Sequence, residues 1–310
     1  MGTPDFSIII PSFNQGIFLS ECIDSIIKAA DFANVDCQII LVDNCSTDQT
    51  VDVLRQHDKD VDICIVEPDS GQTNAINKGL AFAKGRIVNW LCCDDRLTPQ
   101  SLAILNREFA DSSQPEVVCG RANYFSSGKL LACSRTSQFS PRLDIFMSFA
   151  RIVQPATFWC SEALAQLTPL DEELSYVMDI DLWLRYLSSK DSACKVVYIE
   201  DLLGSIILHD DCKSIANIHG FGAEIAWVKQ RMIKMATKKD GSFSACGISS
   251  PSALDLGLSV DQLTYIADLV AEVKSFRLLP FRRYVALLLH LPSVIRHLVI
   301  VRPEVLRMFS

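Results

Sequence analysis

Asn89-Trp90-Leu91-Cys92-Cys93-Asp94-Asp95-Arg96 is the stretch around which the chain is arranged. Ile87 to Leu91 is a short apolar run of the kind that forms a buried strand, and two adjacent carboxylates follow where such a strand leaves its sheet. Two neighbouring carboxylates repel, so a half-buried pair needs a cation or a set of hydrogen-bond donors. Oxygen ligands from one or two carboxylates, completed by water and substrate phosphate, are the usual way to hold Mg2+ or Mn2+. Taken alone, the dipeptide also reads as a solvated cap for a helix beginning near Pro99, a residue suited to a first helical turn.

The flanking sequence repeats the same pattern of strand, polar turn and helix. Phe6 to Ile10 is an apolar run cut by Pro11, and Leu19, Cys22, Ile23, Ile26 and Ile27 then place a helix over Phe18 to Ala30. Gln38 to Val42 and Ile63 to Val66 predict two further strands, with helices over Thr47 to Gln56 and over Thr73 to Ala83, the latter closed by Gly85. Short continuous apolar strands alternating with helices predict a mostly parallel sheet flanked by helices on both faces, with its ligand crevice beyond the carboxyl ends of the strands. Four polar clusters should therefore share one rim: Pro11-Ser12-Phe13-Asn14, Asp43 to Asp48, Glu67 to Gln72, and Cys93-Asp94-Asp95. Each could separately be a turn or a helix cap, Ser46-Thr47-Asp48 most of all.

Downstream, Glu116 to Gly120 predicts a strand and Tyr124 to Cys133 a hairpin turning at Ser126-Ser127-Gly128-Lys129. Gln154-Pro155-Ala156-Thr157-Phe158-Trp159 is a compact polar and aromatic segment. A helix begins at Met178-Asp179-Ile180-Asp181, and two acids in a first turn suit the helix dipole. Val196 to Ile199 is the last predicted strand, followed by a segment carrying His209 and Lys213.

The 310 residues, 49% hydrophobic and 21% charged, suffice for a sizeable core in one main domain with an appendage, placed at 1–240 and 241–310. Seven Lys/Arg against the single acid Glu304 give residues 274–310 a formal charge of +6, so in a chain of net charge -8 residues 1–273 carry -14. An acidic body argues against nucleic acid as a partner. The twelve cysteines are scattered, without a CxxC pair, which fits thiols used as small apolar residues in a reducing compartment. No basic region followed by an apolar one opens the chain, and Met1-Gly2 lacks the Ser or Thr at position 6 that myristoylation needs, so a cytoplasmic location is expected.

Taken together, these motifs resemble the inverting GT-A glycosyltransferases of the family 2 type, in particular bacterial enzymes of surface-polysaccharide (O-antigen-like) biosynthesis. The matches run in order over about residues 6 to 230: Pro11 to Asn14, Val42 to Asp48, Asp69 to Gln72 with Ala75 to Gly79, Asp94-Asp95, Gln154 to Trp159 and Asp179 to Arg185. The resemblance implies a GT-A (Rossmann-like) α/β fold with a C-terminal helical extension. It also implies a nucleotide-sugar donor, expected to be a UDP-sugar, and Mn2+ or Mg2+. Asp43 and Asp69 would face base and ribose, with Pro11, Ser12, Phe13, Asn14, Ser46, Gly71, Gln72, Lys78, Asp94, His209 and Lys213 completing the donor site. Asp94-Asp95 is the DxD-like pair, with His209 as a candidate third metal ligand. The acid opening the late helix would be the catalytic base, Asp179 being favoured over Asp181 by motif position. Gln154 and Trp159 would line the acceptor pocket. The chain departs from the pattern at Asn44, Asn74, Cys93 and Met178.

A catalytically silent nucleotide-sugar-binding module and a nucleotidyltransferase or NAD-type enzyme are the competing classes. The first loop lacks GxGxxG and no P-loop occurs, which counts against the latter. Residues 275–310 combine six arginines with apolar runs broken by Pro280, Pro292 and Pro303, all far short of the roughly 20 residues that span a bilayer. Such pieces suit peripheral contact with the inner face of the cytoplasmic membrane, near a polyprenyl-diphosphate-linked acceptor, or packing on the main domain or in a homodimer.

Overall fold

The computed structural model describes residues 2–136, 152–189, 194–209, 212, 224–225 and 227–228. One compact unit comprises Met1–Gln138 and Arg151–Ile225. The other, Phe139–Ala150 with Ala226–Ser310, lies almost wholly outside the described residues, as do the expected boundary at 240, the tail and Lys213. Among the described residues no helix is long and apolar enough to cross a membrane.

The first half is the predicted alternation. Strands β1 (Phe6–Ser12), β2 (Cys37–Asp43), β3 (Ile63–Val66) and β4 (Ile87–Trp90) lie in the order β3-β2-β1-β4, all parallel, joined by α1 (Gly16–Ala33), α2 (Thr50–Gln56) and α3 (Gln72–Leu80). β1 is buried on both faces because its side chains alternate between two helical layers. Phe6, Ile8 and Ile10 join Leu19, Ile23 and Ile26 of α1, while Ile9 fills the space beside Gly79 of α3, where a Cβ would lie 2.4 Å from its methyl carbon. Contrary to expectation β1 continues through Pro11. The Ile9 carbonyl turns toward β4, accepting from the Leu91 N–H at 2.8 Å, and Pro11 two residues on faces the same side. The β1–β4 ladder ends at Ile9 and Trp90, so the missing proline N–H interrupts no pairing.

The second half extends this sheet with mostly antiparallel strands. β5 (Asp95–Leu97), β6 (Val117–Ser126), β7 (Lys129–Arg135), β8 (Thr157–Cys160) and β9 (Val196–Leu208) complete the order β3-β2-β1-β4-β8-β6-β9-β5, with β7 hairpinned onto β6. The hairpin turns at Ser127 and Gly128, whose φ of 48° and 74° match the tight two-residue loop predicted there. β9 is much longer than its apolar core Val196–Ile199 suggested. Its continuation pairs in parallel with β6 up to Ser126↔Leu208, and antiparallel with β5 at Asp95↔Ile206. Helices α4 (Ser101–Phe109), α5 (Ser161–Ala165) and α6 (Met178–Ser189) and a short 3-10 turn at Gln154–Ala156 lie between these strands.

Candidate active site

The ends of β1, β2 and β3 meet through a network of short polar side chains. Asp43, buried at the end of β2, accepts from the Ser46 N–H at 2.7 Å and from Ser46 Oγ at 2.6 Å. Ser46 Oγ in turn accepts from the Asn14 N–H at 2.7 Å, and Asn14 Oδ1 accepts from the Thr47 N–H at 2.9 Å. Asp48 accepts from the N–H of Gly16 with one oxygen and from that of Thr50 with the other, joining the starts of α1 and α2. That approach requires glycine, since a Cβ on residue 16 would meet the Thr50 nitrogen at 2.3 Å. Asn44 Oδ1 accepts from the Asp69 N–H, and Asp69 accepts from the Gly71 N–H, both at 2.8 Å. Lys78 donates to the Pro68 carbonyl and pairs with Glu67, each at 2.8 Å. Pro11 and Ser12 are buried within β1, whereas Phe13 is 56% exposed at the rim.

Asp94 ends the connection from β4 to β5 and Asp95 opens β5, its N–H closing a turn on the Cys92 carbonyl. The β5–β9 register decides what faces them. With Asp95 opposite Ile206, the Ile207 N–H reaches the Asp94 carbonyl at 3.3 Å, and the residues after β9 fall over the Asp94 side chain. His209 Nε2 lies 3.2 Å and Cys212 Sγ 3.6 Å from Asp94 Oδ2. The imidazole stacks on Phe18 of α1, ring centroids 4.6 Å apart. Asp95 is 6% exposed. Burial and then the Asp94 charge hold its carboxyl well above the usual carboxylate range, with Arg96 opposing them.

Two groups of side chains here could hold a cation, Asp94 with His209 and Cys212, and Cys92 with Asp94 and Asp95. In each, one ligand atom per residue lies within 4.8 Å of the others, and Asp94 belongs to both. A carboxylate and an imidazole suit a divalent transition ion such as Mn2+, so the donor set fits the expected cofactor. Gln72, opening α3, donates to Cys92 Sγ at 3.1 Å and ties that helix to the acidic turn.

The helix with two leading acids sorts them sharply. Asp181 is fully buried and accepts from Arg185 Nε at 2.8 Å, one turn along; Arg185 also donates to the Leu167 carbonyl. Asp179 is partly exposed and accepts from the Ile180 N–H, and burial pushes its carboxyl up to about 6 against that hydrogen bond. The segment leading into α6 is anchored to α3. Thr73 Oγ1 donates to the Leu174 carbonyl, Asn77 to the Leu170 carbonyl, and Asn74 and Asn77 to Glu172. Since Gln72 of the same helix touches Cys92, α3 joins the acidic turn to the approach of Asp179.

Of the two expected acceptor residues, Trp159 is buried and Gln154 partly exposed. Trp159 is 1% exposed in a cluster with Trp183 and Tyr186 of α6, at ring-centroid distances of 4.9 and 5.3 Å, so it seats α6 on β8. Gln154 Nε2 donates to Asn89 Oδ1 at 2.8 Å and to the Trp90 carbonyl at 2.6 Å, bracing the strand before the acidic turn.

Sequence reasoning missed Cys92, Cys212 and Glu224. His209 and Cys212, three residues apart after an apolar run, carried a usable signal in their spacing. Glu224 carried none. Its carboxylate accepts from the N–H groups of Ser175, Tyr176 and Val177 across 47 to 49 residues of chain.

Residues 7–154 match the family described as Glycosyl transferase family 2. Among curated relatives, the uncharacterized glycosyltransferase RP339 of Rickettsia prowazekii (strain Madrid E) is 31% identical over 59% of this chain and 59% of its own length. Chondroitin synthase of Pasteurella multocida (strain Pm70) is 25% identical over 69% of this chain and 22% of its own. The chain thus spans less than two thirds of either relative. Among solved structures, S. aureus TarS 1–349 in complex with UDP-GlcNAc superposes with a TM-score of 0.60 at 16% identity, over 91% of this chain and 83% of that one. The mannosyltransferase PcManGT from Pyrobaculum calidifontis, in complex with GDP-Man and Mn2+, gives 0.53 at 15%, over 96% and 81%. At such identities the likeness is one of fold.

Proposed function

We propose that this chain is a family 2 glycosyltransferase and that it transfers a sugar with inversion from a UDP-sugar to a glycan or polyprenyl-diphosphate-linked acceptor, with Asp179 as the general base. The observation that carries this is the contrast between two acids separated only by Ile180: Asp181 is buried against Arg185, whereas Asp179 remains partly exposed with its carboxyl raised to about 6. A base of that strength is ionised at neutral pH and still binds a proton well enough to take one from an attacking hydroxyl.

The remaining roles follow from the rim. The loop fixed by Asp43, Ser46 and Asn14, with Asp69 beside it, would receive the nucleoside, and exposed Phe13 offers an apolar face for the base. A divalent cation held by Asp94 and His209 would offset the charge developing on the leaving diphosphate. Attack from the side opposite that leaving group inverts the anomeric centre. The UDP-GlcNAc complex of TarS supports a uridine donor, and the names chondroitin synthase and poly(ribitol-phosphate) beta-N-acetylglucosaminyltransferase support a polymeric acceptor. The basic apolar stretch 275–310 supports an acceptor held at an anionic membrane.

The test is nucleoside-diphosphate release across a panel of UDP- and GDP-sugars, with the product's anomeric configuration read by NMR. Release of UDP with inversion is expected. Retention, or no release from any donor with any glycan or lipid-linked acceptor supplied, overturns the proposal. Flotation with anionic liposomes separately tests the tail, the full chain being expected to float and a chain ending near Ala271 to stay behind.

A further inference from the structure

We propose that Cys212 is a direct ligand of the cation at Asp94, and that this thiolate makes the centre select a thiophilic divalent ion, Zn2+ or Co2+, over Mg2+. The inference rests on the Asp94–His209 cation site of the preceding reading and adds to it a ligand and a metal preference.

Cys212 is brought there by main-chain geometry. Its N–H donates to the His209 carbonyl at 3.1 Å, folding the chain back on itself directly after β9, and its Sγ accepts from the His209 N–H at 3.3 Å. The sulfur is thereby held 3.6 Å from the same Asp94 oxygen that His209 Nε2 approaches to 3.2 Å. Three different donor atoms thus converge with no more than 4.8 Å between any two. Tetrahedral Zn2+ places Zn–S at about 2.3 Å and Zn–N and Zn–O at about 2.0 to 2.2 Å, so ligand atoms around one ion lie about 3.3 to 3.8 Å apart. The two distances to Asp94 Oδ2, 3.2 and 3.6 Å, are close to this scale.

Both side chains are held in place: the Cys212 residue is 7% exposed, and the His209 ring is fixed by stacking on Phe18. As Sγ joins the cation its proton leaves to solvent, the usual accompaniment of thiol ligation. A site offering sulfur, imidazole nitrogen and one carboxylate discriminates against Mg2+, which keeps oxygen ligands and dehydrates reluctantly.

The test is titration of the full-length protein with Co2+ alone, followed by absorption spectroscopy. A thiolate-to-cobalt charge-transfer band in the near ultraviolet is expected. It should be lost in Cys212→Ser and kept in Cys92→Ser, and Co2+ affinity in Cys212→Ser should fall by at least the ~10-fold that loss of even an outer partner brings. X-ray absorption at the zinc edge gives a second reading, one sulfur at about 2.3 Å in the wild type and none in Cys212→Ser. Cobalt binding without the band, or a band that survives in Cys212→Ser, overturns the thiolate ligand while leaving the Asp94–His209 site standing. Absence of any divalent-ion binding, with or without UDP, overturns both.

Discussion

His209 Nε2 lies 3.2 Å from Asp94 Oδ2 while the imidazole face rests on Phe18. The contact joins a residue at the end of β9 to one 115 positions earlier, and it exists because β9 runs on past its apolar core to pair with β5. The stacked ring cannot swing freely, so Phe18 should act on the cation through His209. Phe18→Leu keeps an apolar side chain on α1 but removes the stacking plane, and should weaken divalent-ion binding about 10-fold. Asp94→Ala should abolish the binding. Calorimetry with Mn2+ and Co2+ measures both, and unchanged affinity in Phe18→Leu would show that the stack does not position the ligand.

Asp179 and Asp181 should separate chemistry from stability. Asp179→Asn should lower kcat by about 10²-fold or more with the fold intact. Because the folded Asp179 carboxyl is raised to about 6, it is protonated below that pH, and kcat/KM should fall as pH drops through about 6. The same shift works against the fold. An unfolded aspartate ionises near pH 4, so ionising Asp179 lowers stability as pH rises from about 4 to about 6. Asp179→Asn should therefore melt higher than the wild type above pH 6. Asp181→Asn leaves Arg185 without its buried partner and should lose about 3 kcal/mol, the lower end for such pairs because the arginine is partly exposed. A large kcat loss confined to Asp181→Asn, normalised to folded protein, would move the base two residues along.

Gln154 offers a third separation. Its amide braces Asn89 and the Trp90 carbonyl immediately before the acidic turn. Gln154→Ala should lower stability by about 1–3 kcal/mol, as expected when buried acceptors lose their donor, with the acceptor KM unchanged. A raised acceptor KM at unaltered melting temperature would instead place Gln154 in the acceptor pocket.

What could be read in the sequence was what local pattern controls. The β3-β2-β1-β4 half was legible because continuous apolar runs such as Ile8-Ile9-Ile10 and Ile39-Ile40-Leu41-Val42 leave few alternatives to buried parallel strands. The rim followed from strand polarity alone. β5 and the length of β9 were not legible. Asp95-Arg96-Leu97 is too short and polar to read as a strand, and it becomes one only because β9 offers it an edge. Trp159 and Gln154 allowed an acceptor-pocket reading because aromatic and amide side chains serve equally in pockets and in cores. Only the packing against Trp183 and Tyr186, and the hydrogen bonds to Asn89 and Trp90, distinguish the two.

Glu224 should govern how firmly the base is presented. Its two carboxylate oxygens accept from three successive N–H groups, those of Ser175, Tyr176 and Val177, at 2.8 to 3.1 Å, and Met178 then begins α6. These N–H groups precede the first turn of the helix, where a carboxylate is favoured by the helix dipole as well. Glu224→Ala leaves them to water and frees the chain one turn before Asp179. The expected result is a kcat about 10- to 100-fold lower at unchanged donor KM, the scale of a small misplacement of a catalytic group. Faster hydrogen exchange at residues 175–177 should accompany it. Glu224→Gln, which retains an accepting oxygen, should recover part of the rate. If both variants keep full kcat while only the melting temperature falls, Glu224 holds the fold together without positioning the base.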